Sequence, residues 1–222
     1  MEQRKNASVK RDRRLSTHKL LLIGIAILFL ATAIVYFSTN LSLPPSSSKL
    51  NVTFDFDTGY PILAETQNTP LNQTANNVTA YFSSPSDTPL APAFSVQSYD
   101  TIFIKLSEFS GKYLYDNKPS RDILEIRFNQ QLTAINVTFA TVEHHTEPSS
   151  ITLTTYLNSI DTSPVGQTAS RGILQTALYP QGTLVFDSGS EPFNLVRIEI
   201  PYQGQWTATN FFIDNIIITP TQ

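Results

Sequence analysis

The 222 residues contain no cysteine. That excludes a disulfide framework, a thiolate metal site and a cysteine nucleophile, so an exported domain of this chain must stand on its core or on a bound ion. Tryptophan occurs once and histidine three times. His144 and His145 are adjacent in the polar stretch "EHHTEP", which reads as a hairpin turn; with Glu143 and Glu147 alone, one turn does not close a tetrahedral zinc site. A Ser-His-Asp arrangement therefore lacks a well-placed base. Glycine is scarce, with eight residues and no Gly-rich phosphate loop. Basic residues are few beyond the N-terminus: residues 39–222 hold 8 of the 15 basic residues and 16 of the 18 acidic ones. An acidic region of this kind repels nucleic acid and suits cations or neutral partners. Glu108, Glu125, Glu143 and Glu199 are available as acids, but a glycosidase pair is defined by a separation that sequence does not show.

Long apolar runs are also absent, with one exception. From Leu20 to Phe37, "LLLIGIAILFLATAIVYF" carries 18 residues without a charge, close to the roughly 20 that a helix needs to cross a bilayer. Seven basic residues precede it against Glu2 and Asp12, an asymmetry that keeps the N-terminus in the cytoplasm. A cleaved signal peptide is the rival reading, because "ATA" at Ala31 to Ala33 offers a small-x-small site. Cleavage there would split one continuous apolar run. The expectation is a basic cytoplasmic tail at 1–19, a transmembrane helix at 20–37, a Ser/Pro-rich spacer at 38–49 and an exported domain at 50–220, placing that domain outside the cell membrane.

The exported part shows period-two patterning. In "LNVTFDFD", Leu50, Val52, Phe54 and Phe56 share one face, and Asn51, Thr53, Asp55 and Asp57 the other. "LEIRFN", "TAINVTFAT", "SITLTTYL" and "NLVRIEIPY" alternate in the same way, with "TIFIKLSEF" and "GTLVFDSG" as shorter candidates. Turn residues separate the runs, and no helical spacing follows residue 37. These features predict an all-β antiparallel β-sandwich, or jelly roll, behind one transmembrane α-helix. Residues 58–92 and 162–180 read as long loops, the first with one strand at "NVTAYFSS".

Five N-x-Ser/Thr sequons follow the apolar run, at Asn40, Asn51, Asn72, Asn77 and Asn136. Each is a candidate glycosylation site in an exported chain. Trp206 and Tyr202, in "PYQGQWTATN" ahead of the last apolar run, are candidate platforms for sugar rings, whose CH faces suit a π surface; Tyr113 and Tyr115 are further candidates. Trp206 can equally plug the end of a core.

The last run, "NFFIDNIIITP", places Asp214 and Asn215 inside a strongly apolar strand. Regular alternation sets Asp214 on the face of Phe212, Ile216 and Ile218. If the first and last strands are neighbours, Asp55, Asp57 and Asp214 converge on a hard cation such as calcium, which takes oxygen ligands. Alternatively, a β-bulge at Asp214 or Asn215 resets the alternation and lets the polar group bond to a neighbouring loop.

The ending "FFIDNIIIT", the opening "VTFDFDTG" and the run "LEIRFNQQLTAINVTFAT", read as a hairpin, are similar to the jelly-roll modules of secreted and surface proteins, including carbohydrate-binding modules and PEP-CTERM-type sandwiches. The resemblance spans about Leu50 to Pro220. It implies that Asp214, with Asp55 or Asp57, helps to hold a structural calcium. The function expected is a membrane-anchored, non-catalytic cell-surface module that binds carbohydrate or acts in adhesion. Its partners would be surface or extracellular glycans or neighbouring envelope proteins, and not nucleic acid. The alternatives are a structural envelope component and a jelly-roll glycoside hydrolase.

Overall fold

The computed structural model describes residues 50–98, 106–117, 122–142, 148–174, 179–201 and 209–221. All of them belong to one unit, Lys49–Gln222. Among the described residues no helix is long and apolar enough to cross a membrane, and Leu20–Phe37 lies outside them.

The alternating runs become antiparallel strands because one face of each is apolar and finds a facing layer. One layer is built from β2 (Leu71–Ala75), β3 (Val78–Ser83), the first part of β6 (Leu124–Thr141), β10 (Phe193–Glu199), β7 (Ser150–Tyr156) and β8 (Gly166–Arg171). The other contains β4 (Phe94–Ser98), β5 (Lys112–Asp116), β11 (Phe211–Pro220), the second part of β6 and β9 (Gln181–Asp187), with β1 (Val52–Phe54) also on β11. Phe82, Ile126, Phe128, Leu153 and Val196 of the first layer pack with Phe54, Leu114, Val137, Phe139, Ile213 and Ile216 of the second in one core. Ring contacts cross it, Phe56 to Phe82 at 5.4 Å and Phe186 to Phe193 at 5.6 Å between centroids. This is an antiparallel β-sandwich.

Three expectations need correction. "LEIRFN" and "TAINVTFAT" are not partners in a hairpin: they are the two parts of β6, 18 residues long. Between Arg127 and Leu132 the ladder to β10 slips, and the exposed Asn129, Gln130 and Gln131 carry the strand round the corner from one layer to the other. The supposed loop 58–92 contains β2 as well as β3, and 162–180 contains β8; their short, Thr/Gln/Ser-rich strands hide the alternation.

The third correction concerns β11. It pairs with β6 in register from Phe211↔Thr141 to Asp214↔Thr138 and then resumes at Ile217↔Asn136. Three steps on β11 match two on β6, so one residue is extra: a bulge, with Asn215 at φ 47°. Phe211, Ile213, Ile216 and Ile218 therefore all enter the main core. Asp214 does not share a face with Ile216 and Ile218; it lies on the side of Phe212, which packs in a second cluster with Leu106, Phe109, Tyr113 and Ala140 on the outside of the layer.

Candidate functional site

The bulge lies where β11 changes neighbours. On one edge it pairs with β6 throughout; on the other it pairs with β5 at Phe212 and Ile213 and with β1 at Ile216 to Ile218. The first and last strands are thus side by side, the condition under which Asp55, Asp57 and Asp214 would come near one another. Asp214 faces the seam between β5 and β1.

Asp214 is 0% exposed. Its Oδ1 accepts from the backbone N–H of Asn215 at 2.7 Å, and its Oδ2 from the backbone N–H of Ser110 at 3.2 Å and from Asn215 Nδ2 at 3.0 Å. The bulge and the bond to a neighbouring segment are the second of the two readings of "DN". Two residues further along that segment, the backbone N–H of Lys112 donates to Asp57 Oδ2 at 2.9 Å. Asp55 closes the turn after β1: its Oδ1 accepts from the N–H groups of Asp57 and Thr58 and from Thr58 Oγ1.

Burial pushes the Asp214 carboxyl up to about 7; the bonds from Ser110 and Asn215 oppose the shift, and the negative charges of Asp57 and Asp55 add to it. Among the described residues no positive side chain pairs with them. Lys112 directs Nζ to the Leu63 carbonyl at 2.7 Å, and among the described residues the one ion pair joins Arg197 and Glu199. Asp55, Asp57 and Asp214 are therefore electrostatic neighbours. Among the described residues, no three Asp, Glu, His or Cys side chains are grouped to hold an ion by themselves. A cation at the seam would need backbone carbonyls or the Asn215 amide oxygen to complete its shell. Such an all-oxygen set suits calcium rather than zinc.

The turn that Asp55 closes leads into an open groove of about 430 Å³, lined by Asn51, Thr53, Thr58, Gly59, Tyr60, Thr74, Ala75 and Asn76. Tyr60 exchanges two backbone bonds with Thr74, at 2.9 and 2.7 Å, which fixes its backbone, while its ring is 79% exposed. Gln73, fully buried beneath, donates to the Thr58 carbonyl. The groove therefore offers hydroxyls, amides and one ring on a fixed floor. Tyr60 escapes notice in sequence because "DTGYPILAET" shows no periodicity; the Gly-Tyr-Pro triplet is its one local signal.

Trp206, Tyr202, His144, His145 and Asn40 lie outside the described residues. Asn51, Asn72 and Asn77 are exposed. Asn136 is half-buried on β6, between β9 and β11. Tyr113 is buried and Tyr115 half-buried, both in contact with Phe212.

The sequence matches no protein-family model and no curated protein. Similar solved structures include adhesin and carbohydrate-binding domains. The K2 cleaved adhesin domain of Lys-gingipain is 9% identical, with 77% of this chain and 99% of that one covered and a TM-score of 0.49. The low-affinity xylan-binding module CBM86 from Roseburia intestinalis is 11% identical, covering 78% and 96%, with a TM-score of 0.33. TmCBM61, solved with β-1,4-galactotriose, is 11% identical, covering 64% and 88%, with a TM-score of 0.36.

Proposed function

We propose that the chain is a single-pass surface binding module, anchored by Leu20–Phe37 with its acidic domain outside the cell, that holds carbohydrate in the groove at Tyr60 without cleaving it. The make-up of the groove carries this reading. The exposed ring of Tyr60 stands beside the amides of Asn51 and Asn76 and the hydroxyls of Thr53, Thr58 and Thr74. A pyranose presents a CH face to a ring and hydroxyls to amides and alcohols. Every side chain lining the groove is neutral, which suits binding rather than acid-base cleavage. Trp206 and Tyr202 are second aromatic candidates for the same role.

Calcium completes the proposal, held at the seam by Asp55, Asp57 and Asp214 with neighbouring oxygens. Its support is the buried Asp214 carboxyl, which feels the negative charges of Asp57 and Asp55 and, among the described residues, forms no ion pair. Its part would be structural: Asp55 bonds Thr58, and Thr58 lines the groove, so an ion at the seam would fix the groove's wall.

The test is glycan binding by the full chain from a host that does not glycosylate, on a neutral polysaccharide array and then by titration. Binding is expected, with Tyr60→Ala weakening it about tenfold, the equivalent of about 1.4 kcal/mol, and with no shortened sugar released. A protein that binds no glycan returns the chain to the structural envelope reading, and one that binds equally well without the Tyr60 ring moves the site from the groove to Trp206 and Tyr202.

A further inference from the structure

The groove leaves two features of the β2–β3 hairpin unused: the sequon Asn72-Gln73-Thr74 and the ring of Tyr81, 46% exposed. The register joins them. Asn72 stands directly opposite Tyr81, and opposite side chains of an antiparallel pair have Cβ atoms about 4.5–5.5 Å apart. Both point to solvent, because Leu71 and Gln73 on β2 and Val78, Ala80 and Phe82 on β3 take the buried face. On the far side of Tyr81, Arg127 turns its Nη1 to the Asn158 carbonyl at 2.8 Å. Asn72, on the other side, is exposed.

We infer that Asn72 is an N-glycosylation site whose first sugar lies on the ring of Tyr81, so that glycan and ring together stabilise the hairpin. The inference rests on the exported placement proposed above. In the covalent step, Nδ2 of Asn72 attacks C1 of a lipid-linked sugar phosphate. The N–C1 bond forms, the C1–O bond to phosphate breaks, the phosphate leaves with the electron pair, and Nδ2 gives up one proton. The attached pyranose then lies at the height of the Tyr81 ring, where its CH face meets the π surface. Apart from the Tyr60–Thr74 bridge, β2 pairs with no strand other than β3 among the described residues, so the same sugar also shields the part of this sheet edge at Asn72 from other chains.

Asn77 supplies an internal contrast. It belongs to the same hairpin and is exposed, but it lies in the two-residue turn Asn76–Asn77, with φ of 47° and 64°, between the paired Ala75 and Val78. It has no cross-strand neighbour. A glycan there extends into solvent and stabilises nothing.

The experiment uses the full chain from a host that modifies N-x-Thr, and the same proteins from a host that does not. Peptide mass spectrometry reads occupancy at Asn72. Thermal midpoints are compared for the wild type, Asn72→Gln, Tyr81→Ala and the double variant, with Tyr81→Leu replacing Tyr81→Ala if that variant does not fold. With glycan, Asn72→Gln is expected to lower the midpoint by roughly 2–4 °C in the Tyr81 background and by nothing measurable without the ring. Without glycan the coupling vanishes, and Asn77→Gln, at φ 64°, shifts the midpoint equally in both hosts. An unmodified Asn72, or an equal drop with and without the ring, overturns the inference. Loss of glycan binding in the groove alone does not, since that reading is tested on unglycosylated protein with Tyr60.

Discussion

Gly111 and Asp57 fit so closely that a Cβ on Gly111 would stand 1.9 Å from Asp57 Oδ2. Gly111 is also at φ +66°, a conformation that costs other residues about 1–2 kcal/mol. The flanking residues Ser110 and Lys112 give their N–H groups to Asp214 and Asp57, so this glycine lets one short segment hold two carboxylates. Gly111→Ala should lower the stability of the full chain by about 2–4 kcal/mol in urea unfolding. Gly189→Ala is the control: its φ is +68° with nothing within 4 Å, so strain acts alone and about 1 kcal/mol should be lost.

Asp214 predicts a pH dependence of definite sign. Its folded pKa of about 7 exceeds the ordinary 3.8, so the folded state holds this proton more tightly than the unfolded one. The contribution is fully present below pH about 4 and is lost as pH rises to about 7, by an amount of order 4 kcal/mol. In chelator, the thermal midpoint should therefore be higher at pH 5 than at pH 8. Asp214→Asn should remove this slope and lower stability at pH 5, because both carboxyl oxygens accept N–H groups and the amide nitrogen that replaces one of them cannot accept.

A cation at the seam should cancel the same penalty. At pH 8, calcium at about a hundred times its dissociation constant adds roughly 2.7 kcal/mol, a rise of about 5–10 °C in midpoint for a domain of this size. Magnesium, which demands a tighter octahedral shell, should do less, and Asp214→Ala should abolish the response. An unchanged midpoint in calcium would leave Asp214 to be neutralised by its proton.

The groove and the chain's own sugars are expected to compete. Asn51 lines the groove, and its Oδ1 accepts from Thr219 Oγ1 at 2.9 Å, which leaves Nδ2 as the group free to be modified. Protein from a glycosylating host should therefore bind external glycan more weakly than unmodified protein. Asn51→Gln, whose amide cannot be modified, should bind equally from both hosts, measured by titration with whichever oligosaccharide the array identifies.

Much of the sandwich was legible because β6, β7 and β10 alternate Val, Ile, Leu and Phe with polar residues over most of their length, and that spacing fits a layer buried on one side. β2 and β8 were not, since "LNQTA" and "GQTASR" lie at the margins and bury few apolar side chains. The polar pair in β11 was visible as an anomaly, but its resolution was not: a bulge is one extra residue, and only the partner strand reveals the count. Ser110 and Gly111 belong to the seam through backbone N–H groups and a missing Cβ, which residue type barely records. Tyr60 and Tyr81 looked like ordinary tyrosines until pairing set them beside Thr74 and Asn72.

β6 has a consequence for how the domain comes apart. Its first part lies between β3 and β10 and its second between β11 and β9, so neither layer can be released while the other keeps this strand. Unfolding should therefore be one event rather than two. Amide hydrogens of Ile126 and Val137, in different layers but on the same strand, should exchange with solvent at a common rate set by global opening, and no half-open intermediate should accumulate.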